Sequence, residues 1–80
     1  MKIPVIKKLV EIASLADLQK AEEAILEELQ PEIEIEGDDE GEQLTHVLAA
    51  IWIKGNMQEN NLEFRVSLRN YSQRVRKSIS

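Results

Sequence analysis

The feature that most constrains this chain is the uninterrupted apolar run Val47-Leu48-Ala49-Ala50-Ile51-Trp52-Ile53, which lies near the middle of 80 residues. The run is far below the ~20 apolar residues needed to cross a bilayer. With the residues just ahead of it, it repeats at helical spacing: Leu44, Val47, Leu48 and Ile51 form one stripe at i, i+3, i+4 and i+7. Thr45, Ala49, Trp52 and Ile53 lie on another side. A helix apolar on two sides is either central in its own fold or shared with a neighbour.

Eighty residues suffice for one domain, spanning 1–80, and for one core. A domain of this size buries only about 60% of the surface its unfolded chain exposes, so it gains from a staple. Cysteine is absent and His46 is the single histidine, which removes disulfides, thiolate metal sites and cysteine nucleophiles. Oligomerisation is then the expected staple.

Around the central run the chain reads as helical. Pro4 fits the first turn of a helix over about residues 4–12, with Val5, Ile6, Leu9, Val10, Ile12 and Ala13 on its apolar side. Ser14-Leu15-Ala16-Asp17 resembles a capping box, and Leu15, Leu18, Ala21, Ile25, Leu26 and Leu29 follow at helical spacing, ending near Leu29 or Gln30 before Pro31. Glu32-Ile33-Glu34-Ile35-Glu36 alternates with period two and reads as extended chain, a linker or an edge strand. The acidic turn 37–41 leads into the third helix, about residues 41–54, with Asp38 or Asp39 as its cap and Gly55-Asn56 as its stop. Asn60 or Asn61 would cap the fourth helix, on which Phe64, Leu68, Tyr71, Val75 and Ile79 form a narrow seam flanked by Arg65, Arg69 and Arg76.

The net charge of −5 hides a partition. Residues 21–53 carry eleven acidic side chains and no lysine or arginine, whereas residues 54–80 carry six basic ones against Glu59 and Glu63. We read these as two solvated faces that contact each other across the fold. Nucleic-acid binding is disfavoured, because the overall charge repels phosphates. Lys7 and Lys8 interrupt the first apolar residues before a secretory segment could form, so a cytoplasmic protein is expected.

Chemistry-bearing residues are sparse. Asp38, Asp39, Glu40 and Glu42 are the one cluster suited to a hard cation, but their spacing does not match a calcium-binding loop, and a helix-capping turn is the simpler reading. His46 has neither a cysteine nor a glycine-rich anion cradle to work with, and reads as a surface or interface histidine. The serines lie in helix or cap contexts. No catalytic residue, metal ligand or cofactor is expected, and the chain reads as a non-enzyme.

Gly41-Glu42, Leu44-Thr45, Ala50-Ile51, Tyr71, Gln73-Arg74-Val75 and Ser78-Ile79, with the opening Ile3-Pro4-Val5-Ile6, resemble a family of small helical bacterial cytoplasmic proteins of unknown function. The resemblance covers the whole chain and implies a stand-alone helical domain with no assigned site residues. This chain departs from that pattern at Trp52 and in the acidic segment 32–42.

The expected fold is all-α, a three- to four-helix bundle with a short extended acidic segment between helices 2 and 3. Its core is expected around Leu18, Ile25, Leu29, Leu44, Val47, Leu48, Ile51, Phe64, Leu68, Tyr71 and Val75. The expected role is a non-enzymatic interaction module, a homodimer joined through Trp52, Ala49, Ile53 and Thr45 with Ile33 and Ile35. The alternative is a small-ligand or divalent-cation domain using the turn 38–42 or a pocket beside Trp52.

Overall fold

Four helices form: α1 (Ile3–Ile12), α2 (Leu15–Leu26), α3 (Glu40–Asn60) and α4 (Phe64–Ile79). The computed structural model describes residues 1–79; Ser80 and the side chains of Ser78 and Ile79, the last expected in the seam of α4, lie outside the described residues. No strand forms among the described residues, so the fold is an all-α bundle. Residues 32–36 are the extended linker rather than an edge strand.

The local signals account for most boundaries. Pro4 sits in the first turn of α1. Ser14 caps α2, its hydroxyl accepting from the Asp17 N–H at 3.1 Å, and Asp39 caps α3, its carboxylate accepting from the Glu42 N–H at 2.8 Å. Glu42 in turn accepts from the N–H of Asp38, one residue before the cap, at 3.1 Å, so the two carboxylates hold backbone donors on either side of the helix start.

Three boundaries move. The α2 helix stops at Leu26 instead of Leu29, because Glu28 turns left-handed at φ 61°. The Leu29 N–H then reaches the Ala24 carbonyl at 2.7 Å and the Glu28 N–H reaches that of Ile25 at 3.1 Å, the two bonds of a Schellman ending. The α3 helix runs through Gly55 to Asn60, since a glycine inside a helix costs only about 1 kcal/mol. Asn61, at φ 52°, is its left-handed cap. Asn60 and Asn61 therefore end α3, and neither caps α4; α4 starts with the Ser67 N–H bonded to the Glu63 carbonyl at 3.1 Å.

Each of the other helices packs against α3, which is the shared wall of the fold. Its fully buried residues are His46, Val47, Ala49, Ala50 and Ile53, met by Val5, Ile6, Leu9 and Val10 of α1 and by Leu18, Ala21 and Ile25 of α2. The linker keeps its period-two pattern as a single strap: Ile35 enters the core and Ile33 half enters it, while Glu32, Glu34 and Glu36 face out. It passes so close to α3 that a Cβ at Gly37 would lie 2.8 Å from the backbone nitrogen of Gln43, which is why residue 37 has no side chain.

Several expected core residues lie outside. Leu29 falls beyond the left-handed turn and is 60% exposed; Leu48 is 41% exposed because the packed sides of α3 centre on Val47 and Ala50. Val75 is exposed, lying toward the end of α4 away from the hairpin turn; Ile12, expected on the apolar side of α1, is exposed as well. Leu44, Ile51, Phe64, Leu68 and Tyr71 are half-covered at the edge of the core.

Glu28 pays a left-handed penalty of about 1 kcal/mol that glycine escapes. Glu28→Gly is expected to raise unfolding stability by about 0.5–1 kcal/mol in urea denaturation, whereas an unfavourable change would mean that Glu28 does more than turn the chain.

Candidate functional site

The polar groups that the fold brings inside belong to three structural ties. The first is His46, which is fully buried instead of lying at the surface. Its Nε2 accepts from the Lys2 backbone N–H at 2.9 Å, and its Nδ1 donates to the Glu36 carbonyl at 2.8 Å. A backbone N–H can only donate and a carbonyl can only accept, so the ring is neutral with its proton on Nδ1. One imidazole thus fastens the start of α1 and the end of the linker to α3. With both nitrogens spent on backbone groups and no exposed edge, it has no route to a substrate. A signal for this existed in the sequence: His46, Ala50 and Ile53 lie at i, i+4 and i+7, on the buried side of α3.

The second tie is Lys54, whose Nζ donates to the Val10 carbonyl at 2.8 Å and to the Ala13 carbonyl at 2.6 Å. A cation from α3 therefore closes the C-terminal end of α1, where orphan carbonyls and the negative end of the dipole both favour it. The third joins α3 to α4. The buried Ser67 hydroxyl donates to the Ile53 carbonyl at 3.0 Å and accepts from the Asn56 amide at 3.0 Å, and Asn60 donates to the Asn56 side-chain oxygen at 2.7 Å. No described buried side-chain polar atom lacks a partner.

The acidic turn is occupied by capping. Asp39 and Glu42 hold backbone donors, and among the described residues no group of three or more histidine or acidic side chains is placed to hold a metal ion. Two ion pairs between described residues tie the acidic segment to the α1 region, Lys2–Glu42 and Lys8–Glu36, each at 4.0 Å and solvent-accessible. The sequence pattern had pointed instead to the basic tail. Exposed pairs of this kind contribute about 0–1 kcal/mol.

The residues expected to meet a second copy separate into two sets. Ala49 and Ile53 are fully enclosed by the other helices, and Ile35 is in the same core, so the chain itself covers them. Trp52, Thr45 and Ile33 keep accessible surface, although the Thr45 hydroxyl is turned back on the Gly41 carbonyl at 2.9 Å. Trp52 is half-buried. Its ring lies 5.7 Å from that of Tyr71, tilted by 48°, and the Arg74 guanidinium sits 5.9 Å from the indole centroid. Beside it Ile51, Gly55, Asn56 and Glu59 line a shallow, open depression of about 290 Å³. The α4 seam borders the same surface: Phe64, Leu68 and Tyr71 are half-covered and Val75 is exposed. The outer face of the α3–α4 hairpin thus brings apolar, aromatic and basic side chains together at an accessible surface.

His46→Ala would leave the Lys2 N–H and the Glu36 carbonyl unpaired beside a cavity, and is expected to cost about 2–4 kcal/mol in chemical denaturation. Nitrogen NMR of the wild-type ring should report the Nδ1–H tautomer at neutral pH. An Nε2–H ring would contradict the two-sided tie.

Comparison with known proteins adds one assignment. No curated protein and no solved structure matches the chain. A family model does, over residues 1–80, and its description is a family of unknown function, DUF6952. A four-helix chain whose whole length fits that model is a member, so the protein belongs to the family of unknown function DUF6952.

Proposed function

We propose that this chain is a non-enzymatic helical interaction module that works as a homodimer through the outer face of the α3–α4 hairpin. The observation that carries the reading is the incomplete cover of α4. This helix packs principally on α3, and among its described side chains Ser67 alone is fully buried, while Phe64, Leu68 and Tyr71 stay half-covered beside Trp52. Tryptophan, tyrosine and arginine together are the residue types most enriched where binding energy concentrates.

The size of the face supports a second copy as the occupant. Two adjacent helices about 25–30 Å long and together about 20 Å wide offer on the order of 600 Å², at the lower end of what each partner of a specific complex buries. The interface expected from the sequence therefore moves outward: Trp52 stays in it, with Leu48, Tyr71 and Val75 in place of Ala49 and Ile53.

Sedimentation equilibrium of the wild type and of Trp52→Glu tests the reading. The wild type is expected to be dimeric at micromolar concentration and the variant monomeric with retained helix content. A monomeric wild type up to high concentration would remove the proposal.

A further inference from the structure

The glycines of this chain are not alike. A Cβ at Gly37 would collide with the backbone of Gln43, whereas a Cβ at Gly55 would meet nothing within 4 Å. Gly55 lies inside α3 with no left-handed backbone to require it. Glycine weakens a helix interior, and here the protomer itself gains no close approach in exchange. Yet Gly55 borders the depression beside Trp52, on the face where the protomer leaves apolar surface open.

We infer that α3 crosses its copy in a second protomer at Gly55, antiparallel, with the two-fold axis passing beside that residue. The inference rests on the homodimer reading and specifies its register. In a two-fold contact each residue meets its counterpart reciprocally. An axis at Gly55, perpendicular to the helix, sets Gly55 against the partner's Gly55. It also sets Trp52, one turn before, against the partner's Glu59, one turn after. The missing Cβ atoms let the two backbones approach and the flanking side chains enter the depressions.

Charge selects the antiparallel arrangement. A parallel crossing would set Glu59 against Glu59, Arg74 against Arg74 and the acidic starts of both α3 helices, Asp38, Asp39 and Glu40, side by side. The antiparallel one brings the partner's Glu59 to the indole N–H of Trp52 and to the Arg74 guanidinium that stacks on it. It also opposes the two helix dipoles. Glu59 is exposed and forms no ion pair among the described residues.

The test uses sedimentation equilibrium and thermal melts of the full chain with Gly55→Ala, Gly55→Leu, Glu59→Arg, Arg74→Glu and the double exchange. Gly55→Leu should raise the dimer dissociation constant about a hundredfold, and Gly55→Ala should raise it by less. Under dilution to monomer, Gly55→Ala should melt higher than the wild type, because alanine is the better helix former and its methyl enters open space. Each single charge reversal should weaken association, and the double exchange should restore it. If the wild type dimerises and Gly55→Leu associates equally well, the crossing point is wrong while the dimer stands. If Gly55→Leu has its effect but the double exchange fails to recover affinity, the antiparallel register is wrong. A monomeric wild type overturns both readings.

Discussion

The fold depends on one constraint: α3 is the wall that the other three helices share, and they make little contact with one another. A helix can serve as such a wall only when its neighbours come close on several sides. The small side chains of Ala49 and Ala50, both fully buried, allow that approach, while Val47 and Ile53 supply the bulk. Dispersion and apolar burial then accumulate on one element. The consequence is a hierarchy: anything that shifts α3 shifts every interface at once, whereas α1, α2 and α4 are each held through a single principal contact.

Polar ties compensate for that single-contact architecture. The start and end of α1, the linker and α4 are pinned to α3 by directed hydrogen bonds as well as by apolar contact, whereas α2 is held by packing, through the most extensive helix contact of the fold. His46 holds the start of α1 and the linker, Lys54 holds the end of α1, and Ser67 with Asn56 holds α4. Net stabilisation per bond is modest, roughly 1 kcal/mol, but leaving one partner alone in the core costs more. The ties therefore specify register more than they add stability. An apolar surface would allow α1 to slide along α3, while a lysine bonded to two particular carbonyls does not.

Much of this was legible in the sequence, and the remainder failed for identifiable reasons. The all-α fold, the Ser14 cap and a cap at Asp38 or Asp39 follow from spacing and capping chemistry, which act over a few residues, while the two-sided third helix left open whether α3 was central or shared. The end of α2 at Leu26 was not legible, since nothing marks Glu28 as left-handed; the turn is imposed where the chain must drop into the linker that seats Ile35. The stop at Gly55 failed in the opposite sense, because the Asn56 amide donates to Ser67 and accepts from Asn60, and these bonds sustain another turn and a half of helix beyond the glycine. The face of α3 that would be buried was assigned to Leu44, Val47, Leu48 and Ile51. The actual side is rotated toward His46 and Ile53, since small and polar residues weigh little in a hydropathy pattern yet permit the closest packing. For the candidate site, Trp52 was legible as an off-stripe aromatic, whereas Ala49 and Ile53 were misassigned outward by the same rotation.

That rotation bears on function. With the packed side centred on His46, Ala50 and Ile53, the stripe Leu48-Trp52-Gly55-Glu59 is left facing outward beside the α4 seam. The buried side-chain polar atoms of the described residues all have partners, so what remains uncovered at this face is apolar and aromatic surface. A chain without cysteine has no disulfide with which to offset that exposure, and at 80 residues its margin is thin. Association supplies stability by mass action to whatever state binds, so a dimer through this face would hold α4 in place at the very helix that has the least cover of its own. On that argument a lightly covered α4 and a half-buried indole are two consequences of one arrangement, in which, under the homodimer proposal, the second wall of the hairpin would be another copy of the chain.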